Sequence, residues 1–308
     1  MVFERDELSL TDAEFRMFRD FFRSYCGLHF GEDSRFLLEK RLARRVRELD
    51  LGSFSAYHYL LRKPGQGDQE LGHAIDALTT NETYFFRERS QLQSLVEEII
   101  PDSLERRRKL GGRALSIWSA GCSSGEEPYS IVMMAKEAGL EPGKDFRVYA
   151  SDISGAVLRK ARHGLYRPAS FRESPDHLQK KYFEEHEGLW RISDEIKRHV
   201  VFTRVNLLDR SRADLLGSMD VVLCRNVIIY FDLETKRDVV GRFHDKLQPG
   251  GYLLLGHAES LINVSSAFTL THLKRDMVYR RPLPGEELLD PWHAAARAAI
   301  SPFEREEA

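Results

Sequence analysis

The feature that most constrains the fold is a regular alternation of short apolar runs with helix-length polar stretches, beginning near residue 113. Each apolar run has the length of one buried strand. Strands that alternate with helices predict an α/β fold, in which helices cover both faces of a mainly parallel sheet. The runs are ALSIWSA, FRVYASD, HVVFTRVNL, MDVVLCRN and GGYLLLGHA, and AFTLTHLKRDMVYRR predicts two further strands that lie antiparallel at the sheet edge.

The region before this alternation predicts helices only. Thr11 and Glu14 have the spacing of a capping box, and apolar residues recur at helical spacing after them. A second helix is predicted over residues 34–49. The expected units are a small all-helical domain over residues 1–80, an α/β domain over residues 81–282 and a tail over residues 283–308.

Composition excludes several classes of function. The 46 basic and 48 acidic residues give a net charge of −2, which argues against general affinity for nucleic acid. An acidic partner would therefore need a local basic patch, and the predicted helix over 34–49 has one. This basic face could equally be an ordinary solvated surface. Its basic side chains are Lys40, Arg41, Arg44, Arg45 and Arg47.

Cysteine usage and hydropathy point to the cytoplasm. The three cysteines are far apart and form no CxxC pair, so we expect neither a disulfide framework nor a metal site. The N-terminal residues MVFERDELSL lack the apolar segment of a signal peptide. No run approaches the roughly 20 apolar residues that cross a bilayer, so we expect no insertion into a membrane.

The stretch LSIWSAGCSSGEEPYS predicts a strand, a ligand-binding loop and the start of a helix. Small residues such as Gly121 let the backbone approach a ligand, and Ser123 or Ser124 could cap a helix that starts near Pro128. The loop lacks the GxGxxG pattern of dinucleotide sites. Glu126 and Glu127 place carboxylates where a phosphate would bind, which favours a ligand with a cationic centre.

Polar residues follow three other predicted strands, and the carboxyl ends of parallel strands meet at one edge of a sheet. Asp152 is suited to accept hydrogen bonds from ribose hydroxyls, or it caps a turn. Asn206 and the pair Arg225 and Asn226 could read an adenine edge or hold a loop. A nucleoside ligand with a cationic, amino-acid end, S-adenosylmethionine, fits the combined set.

Five blocks in order give the chain a resemblance to CheR, the chemotaxis receptor methyltransferase family. They are LTTNETYFFR at 78–87, SAGCSSGEEPYS, ASDIS, CRNVIIYFD and LQPGGYLLLGHAES, within a resemblance over about residues 8–281. It implies a Rossmann-like S-adenosylmethionine-dependent methyltransferase domain, a helical receptor-contacting domain and a small β-subdomain inserted at about residues 164–201. The implied reaction is methylation of glutamate side chains on the cytoplasmic helices of chemoreceptors.

The resemblance also implies cofactor contacts, and the methyl transfer itself suggests two candidates for positioning the reactants. Arg87 would orient the incoming carboxylate, and the Tyr230 hydroxyl would lie near the reacting centre unless Tyr230 is only a packed aromatic. A glutamate has a reference pKa of about 4.3, so the nucleophile is ionised at neutral pH and needs no general base. Predicted cofactor contacts are Asn81, Thr83 and Arg87 over the cofactor, Gly121 and either Glu126 or Glu127 (Glu127 favoured) at its methionine part, Asp152 at the ribose, and Asn206, Leu207, Arg225 and Asn226 beside the adenosine.

Partner recognition and two alternatives complete the interpretation. The basic helix is expected to meet the receptor. Some family members bind a peptide at the receptor's C-terminal end and carry a Gly-containing insertion that is missing before the HEGLW segment at 186–190, so we expect recognition without such a tether. We also expect a monomer. A nucleic-acid or amine methyltransferase is disfavoured, because Arg225-Asn-Val-Ile replaces the usual Asn/Asp-Pro-Pro-aromatic cluster. An adaptor that binds S-adenosylmethionine without transferring its methyl group stays open.

Overall fold

A computed structural model describes residues 8–109, 111–112 and 114–286. Helices around one apolar core form the described N-terminal part. The first begins at a complete capping box, in which the Thr11 and Glu14 side chains each accept the other residue's backbone N–H. Phe15, Phe18 and Phe22 follow on its buried face. These helices are α1 (Asp12–Cys26), α2 (Arg35–Glu48), α3 (Phe54–Leu61) and α4 (Gln66–Leu78).

A helical segment interrupted by a π-helical turn connects this unit to the sheet. It consists of α5 (Arg89–Ser94), a π-helical turn (Leu95–Ile99) and α6 (Ile100–Lys109). The remaining helices are α7 (Glu126–Glu137), α8 (Gly155–His163), α9 (Asp176–Tyr182), α10 (Asp194–Lys197), α11 (Arg210–Asp214) and α12 (Leu233–Lys246). Within the described residues, no helix combines the length and the apolar character that crossing a membrane requires.

The strands form one large and one small sheet. Their bounds are β1 (Leu115–Ala120), β2 (Phe146–Asp152), β3 (Leu165–Tyr166), β4 (Phe183–His186), β5 (Leu189–Ile192), β6 (Val200–Arg204), β7 (Met219–Cys224), β8 (Leu247–Leu255), β9 (Thr269–His272) and β10 (Met277–Arg280). The large sheet has the order β6-β2-β1-β7-β8-β10-β9. Its pairs are parallel from β6 to β8, and β10 and β9 add an antiparallel edge.

The small sheet, with the order β3-β5-β4, occupies the segment that interrupts the alternation. Its central hairpin turns at Glu187 and Gly188, which have φ angles of 52° and 74°. The predicted fold class is therefore confirmed: a Rossmann-like α/β domain, an N-terminal helical unit and an inserted β-subdomain.

Two local expectations need correction. Helix α7 begins at Glu126 rather than near Pro128, and neither Ser123 nor Ser124 caps it, because left-handed Gly125 occupies the N-cap position. Gly125 has a φ of 95°, and a Cβ there would lie 3.0 Å from the Ala161 Cβ. Most of the predicted tail, residues 287–308, lies outside the described residues.

Candidate active site

One cleft brings together nearly all the predicted site residues. It opens at the C-terminal ends of β1, β2, β6 and β7, where the strand order reverses, and its empty volume is about 1040 Å³ including the open mouth. Residues 26–28 and 79–84 form the opposite wall. The predicted residues that line it are Asn81, Thr83, Arg87, Gly121, Glu127, Asp152, Asn206, Leu207, Arg225, Asn226 and Tyr230.

The loop after β1 approaches the cleft through its backbone. Gly121 has a φ of 84°, and a Cβ there would lie 2.3 Å from the Val227 Cγ2, so only glycine fits. The N–H groups of Gly121 and Cys122 both donate to the Ser151 carbonyl, at 2.8 and 2.9 Å. Burial raises the pKa of the Cys122 thiol well above its usual value. Cys122 is therefore a small buried residue rather than a reactive one.

The structure separates the roles of the two glutamates. Glu126 is 2% exposed, accepts hydrogen bonds from the Ser124 and Ser170 hydroxyls at 2.8 and 3.2 Å, and has a carboxyl pKa raised by burial. Its side chain does not line the cleft, so the expectation that it could hold the cofactor is corrected. Glu127 does line the cleft, and its carboxylate accepts a hydrogen bond from the Ser119 hydroxyl at 2.6 Å.

Arg225 connects Glu127 to the segment that carries Arg87. Its guanidinium, with a side chain only 2% exposed, donates to Glu127 at 3.1 Å, to Glu88 at 2.8 Å and to the Arg87 carbonyl at 2.7 Å. Burial opposes ionisation of Glu88, but the charge and hydrogen bond of Arg225 outweigh it and lower the Glu88 pKa. The charged end of Arg225 is thus used within the protein rather than on an adenosine. Glu88 supports the site through Arg225, a role that the sequence did not predict.

Asp152 is anchored by the backbone at the end of β2. Its two carboxylate oxygens accept from the N–H groups of Ser123 and Ser154, each at 2.9 Å. Burial raises the Asp152 pKa, and these hydrogen bonds partly offset that effect. A carboxylate offers about four acceptor positions, so it retains capacity for the hydroxyls of a ligand.

The amide of Asn206 holds a loop, which is the second of the two roles predicted for it. Its Nδ2 donates to the Tyr25 carbonyl at 2.6 Å, and its Oδ1 accepts from the Leu208 N–H at 3.0 Å. The end of α1 is thereby fixed against the cleft. The Tyr230 carbonyl makes a second such link, because it accepts from the His29 N–H at 2.9 Å.

Glu259 fixes the post-β7 loop (residues 226–230), which carries Asn226 and Tyr230. Its carboxylate accepts backbone N–H bonds from Gly256, Asn226, Val227 and Ile229, at 2.7, 2.8, 2.9 and 3.2 Å. Burial raises the Glu259 pKa, although these hydrogen bonds act in the opposite direction. Glu259 lies in the LQPGGYLLLGHAES block, whose sequence carries no signal for this role.

Arg87 lies between two residues with left-handed backbone. Phe86 and Glu88 have φ angles of 61° and 52°, and the Phe86 N–H donates to the Ser130 hydroxyl at 2.9 Å. Such conformations are costly for residues other than glycine and persist where the surroundings enforce them. The Arg87 guanidinium donates to the Glu82 carbonyl at 3.0 Å and lies at the cleft surface.

Some basic side chains of α2 form ion pairs within the protein and are less available to a partner. Arg45 pairs with Glu70 on α4 at 2.6 Å and also with Glu48, and Arg44 donates to Glu48 at 2.7 Å. Acids therefore pair Arg44 and Arg45, and one of these acids, Glu70, comes from another helix.

The other three basic residues of α2 differ in their surroundings. Arg41 donates to the Leu78 carbonyl and to the Thr80 hydroxyl, so it supports the wall of the cleft. Lys40 and Arg47 are exposed and make no ion pair with any described residue.

Family models match both parts of the chain. The "CheR methyltransferase, all-alpha domain" matches residues 13–79, and the "CheR methyltransferase, SAM binding domain" matches residues 81–277. The chain belongs to the CheR methyltransferase family. The predicted family and its cofactor, S-adenosylmethionine, are confirmed, and this CheR protein is a chemotaxis methyltransferase.

Relatives match along most of their length. Chemotaxis protein methyltransferase 2 of Vibrio cholerae is 41% identical over 91% of this chain and 97% of its own. The chemotaxis protein methyltransferase of Salmonella typhimurium is 39% identical over 85% of this chain and 89% of its own. A solved structure, magnesium protoporphyrin IX methyltransferase of Synechocystis with bound SAM, aligns with a TM-score of 0.36 and 12% identity over 87% of this chain and 97% of that one.

Proposed function

We propose that this CheR protein transfers the methyl group of S-adenosylmethionine to glutamate side chains on the cytoplasmic helices of chemoreceptors, giving methyl esters. The observation that carries this proposal is that Arg87 and Tyr230 line the same cleft as Glu127 and Asp152. A cofactor-binding carboxylate pair thus shares one space with a cation and a hydroxyl that suit a carboxylate substrate.

The chemical character of the cleft fits the cofactor. Glu127 offers a carboxylate to an ammonium group, Asp152 retains acceptor positions for ribose hydroxyls, and Leu207 supplies an apolar surface for a base. When bound, S-adenosylmethionine supplies an electrophilic methyl group on a positively charged sulfur. Glu127 at the start of α7 disfavours a phosphate in the same position.

In this proposal the protein acts mainly by positioning. The substrate carboxylate is already ionised at neutral pH, so none of the cleft residues must remove a proton. Arg87 orients this carboxylate and Tyr230 limits its approach, and a well-oriented pair of reactants avoids much of the entropic barrier. The Glu127–Arg225–Glu88 contacts hold the cofactor side and the Arg87 side of the cleft in a fixed relative position.

Receptor recognition is assigned to the helical domain beside the cleft. Lys40 and Arg47 give α2 a local positive charge that can attract an acidic receptor helix, and Arg44 lies exposed between them. The tight Glu187-Gly188 turn supports recognition without a tail-peptide tether. The enzyme acts in the cytoplasm as a monomer.

The proposal is tested with methyl-labelled S-adenosylmethionine and a receptor cytoplasmic fragment. Carboxyl methyl esters release labelled methanol in mild base, whereas methylated nitrogen keeps its label. We expect base-labile label on the receptor fragment, and none with Asp152→Ala at cofactor concentrations that saturate the wild type. Cofactor binding without label on any receptor fragment would instead support the adaptor alternative.

A further inference from the structure

A second pocket lies across the post-β7 loop from the active site. Glu259 contributes to its wall while holding the N–H groups of Asn226 and Val227, so one loop separates the two spaces. Its other walls are the strand ends Leu255 and Met277 and the loop between β8 and β9. The empty volume is about 2000 Å³ including the open mouth.

The rim of this pocket is apolar and exposed. Ile262 is 57% exposed and Met277 is 54% exposed, and both line the pocket. Ile229, on the separating loop, is 42% exposed. Beneath them Leu261 and Phe268 are buried. Exposed apolar side chains that cluster around a depression are typical of protein interaction sites.

The lining of the pocket contains two buried acceptors without donors. Gln91 is 2% exposed, and its Oε1 has no hydrogen-bond partner among the described residues. Its orientation is fixed, because Nε2 donates to the Leu255 carbonyl at 3.0 Å. The Asp276 Oδ2 is likewise buried without a hydrogen bond, since the His257 Nε2 is 3.8 Å away. Leaving such an acceptor buried without a donor is unfavourable.

We propose that this pocket receives one lysine or arginine side chain of the chemoreceptor helix that carries the methyl-accepting glutamate. The inference rests on the proposed function. The aliphatic stem of such a side chain would pack on the apolar rim, and its charged end would donate to Gln91 Oε1 and the Asp276 carboxylate. Because the pocket adjoins the loop that carries Tyr230, an occupied pocket fixes which receptor position faces the cofactor.

The receptor helix is favoured over a second copy of this chain for two reasons. A single loop separates the pocket from the active site, where the substrate must lie. The buried acceptors of the pocket also favour a cationic donor. Two separate contacts along one receptor helix align that helix more accurately than one contact can.

Kinetics with Ile262→Lys, which places a like charge at the rim, and Asp276→Asn, which removes the acceptor charge, test this inference. We expect each variant to raise the KM for the receptor fragment about tenfold, the scale of a moderately important interface residue, with unchanged S-adenosylmethionine affinity. The matched control is Leu215→Lys, since Leu215 is 86% exposed and precedes β7 at the sheet end away from the cleft. Wild-type receptor KM in both pocket variants would overturn the inference, while base-labile methylation by the wild type would leave the proposed function intact.

Cross-linking provides a readout that needs no methyl transfer. The native cysteines Cys26, Cys122 and Cys224 are all buried, so an introduced surface cysteine can be labelled selectively. A benzophenone on Ile262→Cys should form an adduct with the receptor fragment, and the same label on Leu215→Cys should not. Equal adducts from both, or adducts only between copies of this protein, would refute the receptor as occupant.

Discussion

Two adjacent isosteric substitutions, Glu127→Gln and Glu126→Gln, test how the cofactor's amino-acid end is held. Glu127 faces the cleft and already accepts from Ser119 and Arg225, at 2.6 and 3.1 Å, and each carboxylate oxygen can accept a further hydrogen bond. A hydrogen bond to a charged partner contributes about 1.5–3 kcal/mol. Glu127→Gln should therefore weaken cofactor binding about 10- to 100-fold.

Glu126→Gln should leave the cofactor affinity within about twofold of the wild-type value. The Glu126 carboxyl is buried against two serine hydroxyls and does not face the cofactor. Isothermal titration with S-adenosylmethionine and with S-adenosylhomocysteine is the assay. Both ligands carry the ammonium and only the first carries the sulfonium, so equal losses place Glu127 at the ammonium. Equal weakening by Glu126→Gln, or wild-type affinity in Glu127→Gln, would refute the reasoning.

Two further substitutions and a pH profile of Glu126→Gln follow from the same contacts. Arg87→Ala should lower kcat with little change in cofactor affinity, and full turnover at saturating cofactor and receptor would contradict its orienting role. Glu259→Gln places an amide NH₂ against backbone donors, so about 2–3 kcal/mol of loop anchoring is lost. The kcat should therefore fall about 30-fold or more, and cofactor affinity is measured as the control. Burial raises the folded-state pKa of Glu126, so its ionisation destabilises the protein as the pH rises from the unfolded pKa through the folded one. Glu126→Gln should therefore melt higher than the wild type at neutral and alkaline pH, with the gain disappearing near pH 4, and an equal gain at all pH values would contradict this.

Local patterns predicted the elements that a short stretch of chain determines by itself. The apolar runs became β1, β2, β6, β7 and β8, and the capping box at Thr11 starts α1 as expected. Asp152 is the last residue of β2, so the strand's direction alone brings it to the cleft edge. Gly121 is likewise needed where the backbone turns past Val227.

Features that depend on packing between distant segments could not be predicted in this way. Neighbouring helix residues point roughly 100° apart, so the roll of α7 decides that Glu127 and not Glu126 faces the cleft. Glu259 reaches the post-β7 loop across 33 residues, and Arg225 reaches Glu88 across 137. Sequence spacing carries no signal for such pairs, since the strand order of the sheet brings them together.

The most direct test of the central claim is mass spectrometry of receptor peptides after incubation with this CheR protein and S-adenosylmethionine. The account predicts a mass gain of one methylene unit on glutamate residues of the cytoplasmic helices, reversed by mild base and absent with Asp152→Ala. A base-stable gain on lysine, arginine or a nucleic acid, or no gain on any glutamate while the cofactor is bound, would contradict it.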